Sequence, residues 1–364
     1  MDAAGRVDIL TVPELRFARS GQNACIPNGD RPVTNTPLPV ILLFCLLPFT
    51  AKADDTSGLQ LVEARRIWDK APHNAFTDLI RFKDRWYCVF REGKGHVSPD
   101  GALRVITSMD GDEWESAALI TSNNSDLRDA KITVTPDGRL MLAGAEAMNK
   151  PVAHKHQSLV WFSEDGRTWS GKHEVGDRDN WLWRITWHQG KAYGFGYGCR
   201  NDNRGIRLFR SSDGKSFDTL IDKASVEGTY PNETSMVFLA DDTCYCLLRQ
   251  DGTPNNGFVG KSRPPYTDWS WKKLNMRIGG PHMIRLPRGR FLAAVRLYDS
   301  PVRASICWLD AEQGTLTEAL RLPSGGDTSY AGLVWHDDLL WVSYYASHEG
   351  KTSIYLAKVK VSAE

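Results

Sequence analysis

The chain repeats one unit six times: an apolar run, a polar turn and a second apolar run. The copies span residues 79–90, 132–143, 185–195, 236–248, 283–295 and 333–345. Their turns centre on Asp84, Asp137, Gln189, Asp241, Arg288 and Asp337, so successive copies lie 53, 52, 52, 47 and 49 residues apart. A two-strand unit cannot bury its own apolar face. A series of them at a fixed period therefore implies blades stacked around an axis. No segment carries the 3.6-residue apolar period of a long helix. The expectation is an all-β, six-bladed propeller with four antiparallel strands per blade, in one domain over residues 54–364.

A second repeat supplies the outer half of the blades. Ser108–Trp114, Ser163–Trp169 and Ser211–Phe217 share a Ser-x-Asp-Gly-x-x-aromatic pattern, and Ser262–Trp269 is an eroded copy. Asp and Gly suit a tight turn, with the aromatic folded back onto the blade. The last repeat lacks one strand, because only 353–361 follows its hairpin. The extended segment Leu59–Trp68 is available to complete it. Pairing it there closes the ring and removes an exposed edge.

Charge is balanced, at 45 Lys and Arg against 44 Asp and Glu. Nothing in that balance suggests a nucleic-acid or membrane-surface partner. Residues 37–50 form an apolar run broken by prolines, followed by Ala51-Lys52-Ala53. This reads as a signal peptide ending near Ala53, preceded by a long leader, so the chain is expected to be exported. The run is too short to span a membrane comfortably. Of the seven cysteines, five follow the leader with no framework or zinc spacing, and they read as small buried residues. No metal or cofactor signature is visible, and a monomer is expected.

The Ser-x-Asp-Gly-x-Thr-Trp motif resembles the Asp-box of the sialidase (neuraminidase) superfamily, whose boxes are structural turns on a six-bladed propeller. The order of polar residues over roughly 70–360 is similar as well. The resemblance implies a glutamate opening the inner strand of blade four, here Glu233, and an arginine ending the next strand, here Arg249. It implies a further arginine on blade five, either Arg303 or Arg296, and a tyrosine opening blade six, here Tyr330. Two positions depart from the family. Where it carries a first arginine, this chain reads Pro72-His73-Asn74-Ala75-Phe76. The loop holding the family's acid/base aspartate reads Arg91 to Asp100 here, and offers His96 or Asp100.

The chemistry implied is glycoside hydrolysis of a sugar bearing a carboxylate on its anomeric carbon. A charged nucleophile would be repelled, whereas a neutral tyrosine is not. Tyr330 would attack after losing its proton to Glu233. Arg249 and Arg303 would hold the carboxylate, with Arg296, Arg128, Asp129, Arg184, Arg91 and Trp183 as further binding candidates. His96 or Asp100 would protonate the departing oxygen. The expected partner is a glycan. Two alternatives stay open: a propeller that binds glycans without cleaving them, and a glycosidase or lyase for another acidic polysaccharide.

Overall fold

Six antiparallel sheets form in chain order, each opened by an inner strand that contains one of the repeated apolar runs. The computed structural model describes residues 58–150 and 153–362. The expected leader, 1–53, lies outside the described residues. The inner strands are His73–Phe82, Ser125–Val134, Asn180–Leu182 continued by Thr186–His188, Pro231–Phe238, Ile278–Arg285 and Ser329–His336. Each pairs with the strand that follows it, and two further strands complete the blade. No α-helix occurs among the described residues.

The ring closes as the sequence predicts. Leu59–Trp68 pairs antiparallel with Ser353–Val361, in register from Leu59↔Val361 to Trp68↔Ile354. The last blade is therefore built from both ends of the propeller. Its core is shared with its neighbour: Leu292, Ala294 and Ile306 of blade five pack with Leu333, Leu340 and Val342 of blade six.

The outer motifs adopt one turn geometry. In the second, Ser163 Oγ accepts the Gly166 N–H at 2.8 Å, and Asp165 Oδ1 accepts the N–H groups of Arg167 and Thr168. These backbone bonds hold the Asp165 carboxyl down at about 2. Trp169 Nε1 donates back to Gly166 O. Gly166 has φ 72°, and a Cβ there would lie 2.1 Å from Cε1 of Tyr87 on the preceding blade. Glycine is thus required twice, by conformation and by the blade joint. In the eroded copy Tyr266 takes the glycine position at φ 66°, and Trp269 Nε1 still donates to its carbonyl. The cysteines follow expectation: Cys88, Cys244, Cys246 and Cys307 are buried, Cys199 is half-buried, and all are unpaired.

The inner strands start earlier than the apolar pattern indicates. In blade one the strand begins at His73 rather than 79. Register shifts interrupt the inner pair at Ala75/Asp78, Arg128/Lys131, Pro231/Thr234, Gly279/His282 and Ser329/Gly332. In blade three the strand breaks outright between Leu182 and Thr186. A bulge destroys the two-residue alternation, so sequence periodicity reveals only the half of each strand that follows it.

Candidate active site

The interruptions fall at equivalent points of the six inner strands, at one end of the propeller axis. They carry Phe76, Asp129, Trp183, Glu233, Gly280 and Tyr330. Four of these have left-handed backbone: Phe76 at φ 66°, Asp129 at 57°, Gly280 at 54° and Tyr330 at 50°. For a non-glycine residue this costs about 1–2 kcal/mol. Such strain persists where the surrounding fold enforces it and concentrates at functional sites.

Tyr330 is the centre of the group. Its hydroxyl donates to Glu233 Oε1. Arg249 Nη1 donates to the same Glu233 oxygen at 2.8 Å and to the Tyr330 hydroxyl at 3.1 Å. The second Glu233 oxygen accepts the Gly280 N–H at 3.0 Å. A Cβ on Gly280 would lie 2.2 Å from Ser329 Oγ, so only glycine lets blades five and six approach this closely. Arg249 is held from behind by Asp251 at 2.8 Å. Burial pushes the Tyr330 phenol well above its ordinary value, with Glu233 adding to the shift and Arg249 and Arg296 opposing it.

Other cations gather on the same ring. The Arg296 guanidinium lies 5.8 Å from the Tyr330 ring centre; it donates to Tyr345 OH at 3.1 Å and to Thr328 O at 2.6 Å. Lys131 Nζ lies 4.9 Å from the Trp183 ring and 5.7 Å from that of Tyr330. Burial, seconded by Arg184, lowers the Lys131 ammonium to about 8. Arg128 lies 5.5 Å from the Phe76 ring, and its Nε is buried without a hydrogen-bond partner. Asp129 is buried beside these groups, and burial raises its carboxyl above the usual range despite Arg128 and Lys131.

Several residues expected at the site are placed elsewhere. Arg303 stands on the third strand of blade five, held bidentately by Glu318 at 2.6 Å and also by Asp299. Its side chain is committed to that outer cluster, and the blade-five arginine at Tyr330 is Arg296. Asp100 is exposed in a turn, where Ser98 and the Lys94 N–H hold its carboxyl below the usual range. It therefore remains ionised and does not enter the cluster. Arg91 is fully buried against Asp126 at 2.7 Å and binds the carbonyls of Gly95 and Ser98, fastening the loop. Arg184 points to the other end of the axis. It donates to Asp78 Oδ2 at 2.8 Å and lines a cavity of about 640 Å³ with Trp187, Phe238 and Leu286. That cavity is formed by the inner-strand residues beyond the bulges, and neither Tyr330 nor Glu233 lines it.

His96 does stand at the mouth of the Tyr330 site, with its ring edge-on to Phe76 at 5.0 Å and its Nδ1 donating to Asp327 Oδ2 at 2.7 Å. Three residues at this mouth had no individual signal in the sequence: His73, Asp327 and Tyr345. Tyr345 was accessible by alignment of the repeats. It pairs with Ser329 as Arg296 pairs with Gly279, at the end of its blade's second strand.

No protein-family model matches the sequence, and no curated protein matches it. Solved structures resemble the chain at low sequence identity. A protein of unknown function from Dyadobacter fermentans has TM-score 0.73 at 20% identity, covering 84% of this chain and 99% of that one. A Penicillium chrysogenum α-L-arabinanase complexed with arabinobiose has TM-score 0.66 at 12% identity, covering 83% and 99%. A Trypanosoma rangeli sialidase in complex with the inhibitor DANA has TM-score 0.62 at 11% identity, covering 83% of this chain and 59% of that one.

Proposed function

We propose that this sialidase-like six-bladed propeller is a retaining exo-glycosidase that removes a terminal acidic sugar, with Tyr330 as nucleophile. The observation that carries the reading is the contact set of Tyr330. A half-buried tyrosine at φ 50° donates its phenol proton to Glu233 and receives a hydrogen bond from Arg249. Burial keeps the phenol protonated, so it presents no charge to the substrate carboxylate. Glu233 takes the proton as the phenol oxygen attacks the anomeric carbon, and Arg249 stabilises the developing phenolate. Arg249, Arg296 and Arg128 face the substrate carboxylate, each charge-assisted bond contributing about 1.5–3 kcal/mol.

Asp129 is the proton donor in this reading, in place of Asp100. It is buried, retains a proton more readily than an ordinary carboxyl, and occupies a bulge of the same ring as Tyr330. The glycosidic C–O bond breaks as the tyrosyl–carbon bond forms, and the departing oxygen takes the Asp129 proton. Water then attacks the tyrosyl-linked carbon, Asp129 accepts its proton, and Tyr330 regains the proton held on Glu233. Export of the chain, with cleavage near Ala53, belongs to the same proposal.

A second reading has one specific support. Residues 72–76 hold no arginine where the sialidase resemblance implies one, and a protonatable Asp129 accompanies the Glu233 carboxylate, an arrangement suited to a neutral sugar such as an arabinofuranoside. A panel of aryl glycosides separates the two: ketosides of sialic acid and Kdo, uronides and α-L-arabinofuranosides. Turnover of an acidic glycoside supports the first reading, and turnover of the arabinofuranoside alone supports the second. Saturable glycan binding with no turnover makes the protein a binding propeller, and an ultraviolet-absorbing unsaturated product makes it a lyase.

Lys131 gives the first reading a pH signature. Below about 8 its ammonium adds one positive charge beneath Tyr330, and above that value the charge is lost. KM for the acidic substrate is therefore expected to rise as pH passes through about 8, and Lys131→Met is expected to flatten that rise. A KM rise of equal size in the variant would remove Lys131 from the binding role.

A further inference from the structure

We infer that His73, His96 and Asp327 form a divalent transition-metal site at the mouth of the Tyr330 pocket. His73 Nε2 lies 3.2 Å from Asp327 Oδ2, and His96 Nδ1 lies 2.7 Å from the same oxygen. The three candidate donor atoms lie within 4.8 Å of one another. Tetrahedral zinc bonds of about 2.0–2.2 Å place neighbouring ligand atoms roughly 3.3–3.6 Å apart, so the two edges at Asp327 Oδ2 need only lengthen slightly to accept an ion. Two imidazoles and one carboxylate select zinc, manganese, iron or nickel over calcium or magnesium.

The carboxylate of the group is oriented by its surroundings. Asp327 divides its oxygens between two tasks. Oδ2 faces both imidazoles, while Oδ1 accepts the Tyr345 hydroxyl at 2.8 Å with Arg296 at 3.9 Å. Hydrogen bonds of this kind orient a ligating carboxylate. The Asp327 N–H donates to Ser347 Oγ at 2.8 Å, which fixes the backbone of the ligand. His73 is anchored by the bridge to Thr352, and its Nε2 is the ring nitrogen that faces Asp327. The group is graded in exposure, with side chains 10% exposed at His73, 30% at Asp327 and 49% at His96. Three protein ligands on such a gradient leave open coordination positions on the solvent side.

The location gives the ion a role. The Phe76 ring touches both His96 and Tyr330, with centroids 5.0 and 5.3 Å away, and the Tyr345 ring stacks on Tyr330 at 6.1 Å. The site thus lies one aromatic ring from the nucleophile, on the blade-one side where residues 72–76 lack the expected arginine. A bound cation there supplies the positive charge that this segment lacks, and offers an open position to a substrate carboxylate or hydroxyl. This role rests on the glycosidase reading, whereas the metal site itself does not.

The test is calorimetric titration of chelator-treated, full-length protein with Zn²⁺, Mn²⁺, Ni²⁺ and Ca²⁺, repeated on His96→Gln and Asp327→Asn. His96 is half-exposed, so its variant tests the site without a threat to the fold. The expected result is one Zn²⁺ per chain with Kd of about 1 µM or tighter, and no saturable Ca²⁺ binding. Each substitution is expected to weaken Zn²⁺ at least ~100-fold. Cobalt substitution is expected to give visible d–d bands that His96→Gln abolishes. Absence of one-to-one Zn²⁺ binding overturns the proposal, as does binding that both variants retain unchanged. Because the readout is binding, a metal site present in a protein inactive on every glycoside would remove only the catalytic role.

Discussion

Tyr330→Phe is expected to reduce kcat on the acidic aryl glycoside by about 10³-fold or more while leaving KM within a few-fold of its starting value. The substitution removes one oxygen. It keeps the ring that packs against Phe76 and Trp183, at 5.3 and 5.6 Å between centroids. Glu233 keeps its bonds to Arg249 and to the Gly280 N–H, so no buried carboxylate is stranded. The stability cost is accordingly about 1 kcal/mol, one hydrogen bond. A folded variant with its melting temperature nearly unchanged and its turnover lost would isolate the hydroxyl as the reacting group. Turnover at the unsubstituted rate would exclude Tyr330 as nucleophile. The carboxylate pair Asp129 and Glu233 would then be left to act alone.

Asp78→Ala is expected to have the largest effect on the fold, a loss of about 3–5 kcal/mol from a broken buried ion pair. Asp78 is 1% exposed and belongs to blade one. Its Oδ2 accepts the Ile132 N–H of blade two at 2.9 Å and Arg184 Nη1 of blade three at 2.8 Å. Its Oδ1 lies 4.0 Å from His282 Nδ1 of blade five, which itself donates to Ala331 O of blade six. One carboxylate thus hydrogen-bonds across three blades at the axis, with His282 of a fourth beside it. Burial opposes its ionisation, but Arg184, His282, Lys131 and the Ile132 N–H together lower its pKa. Burial holds His282 down at about 3, so near neutral pH the charges that matter are Arg184 and Lys131.

Because the folded Asp78 carboxyl titrates below its unfolded value, its contribution is present above the unfolded pKa and lost as pH falls through the folded one. Thermal melts are expected to show Asp78→Ala lowered by roughly 5–15 °C at pH 7, with the gap to the parent closing in acid. A gap that stays constant with pH would assign the loss to packing instead of charge.

Both predictions concern residues at or just beyond a bulge, and that is where the sequence was least informative. The apolar run 79–90 disclosed blade one but began after its bulge, so Phe76 and Asp78 fell outside the recognised repeat. Tyr330, Glu233 and Arg249 were legible because each opens or ends a strand in a matched segment. Arg303 was misplaced for a related reason. It begins a strand of blade five, as Arg296 nearly ends one, and one-dimensional order does not tell an inner strand from an outer one. Glu318 opposite Arg303 decided the matter.

The sequence by itself determined the repeat, the number of blades, the Ser-x-Asp-Gly turns and the closing role of Leu59–Trp68. All of these follow from local alternation and a fixed period. The tertiary structure decided which polar groups share the axis, since that depends on bulges that redirect single side chains across blades. His73 and Asp327 are 254 residues apart, and no spacing rule joins them. Only ring closure, which brings the first blade against the last, places them on the same side of Tyr330.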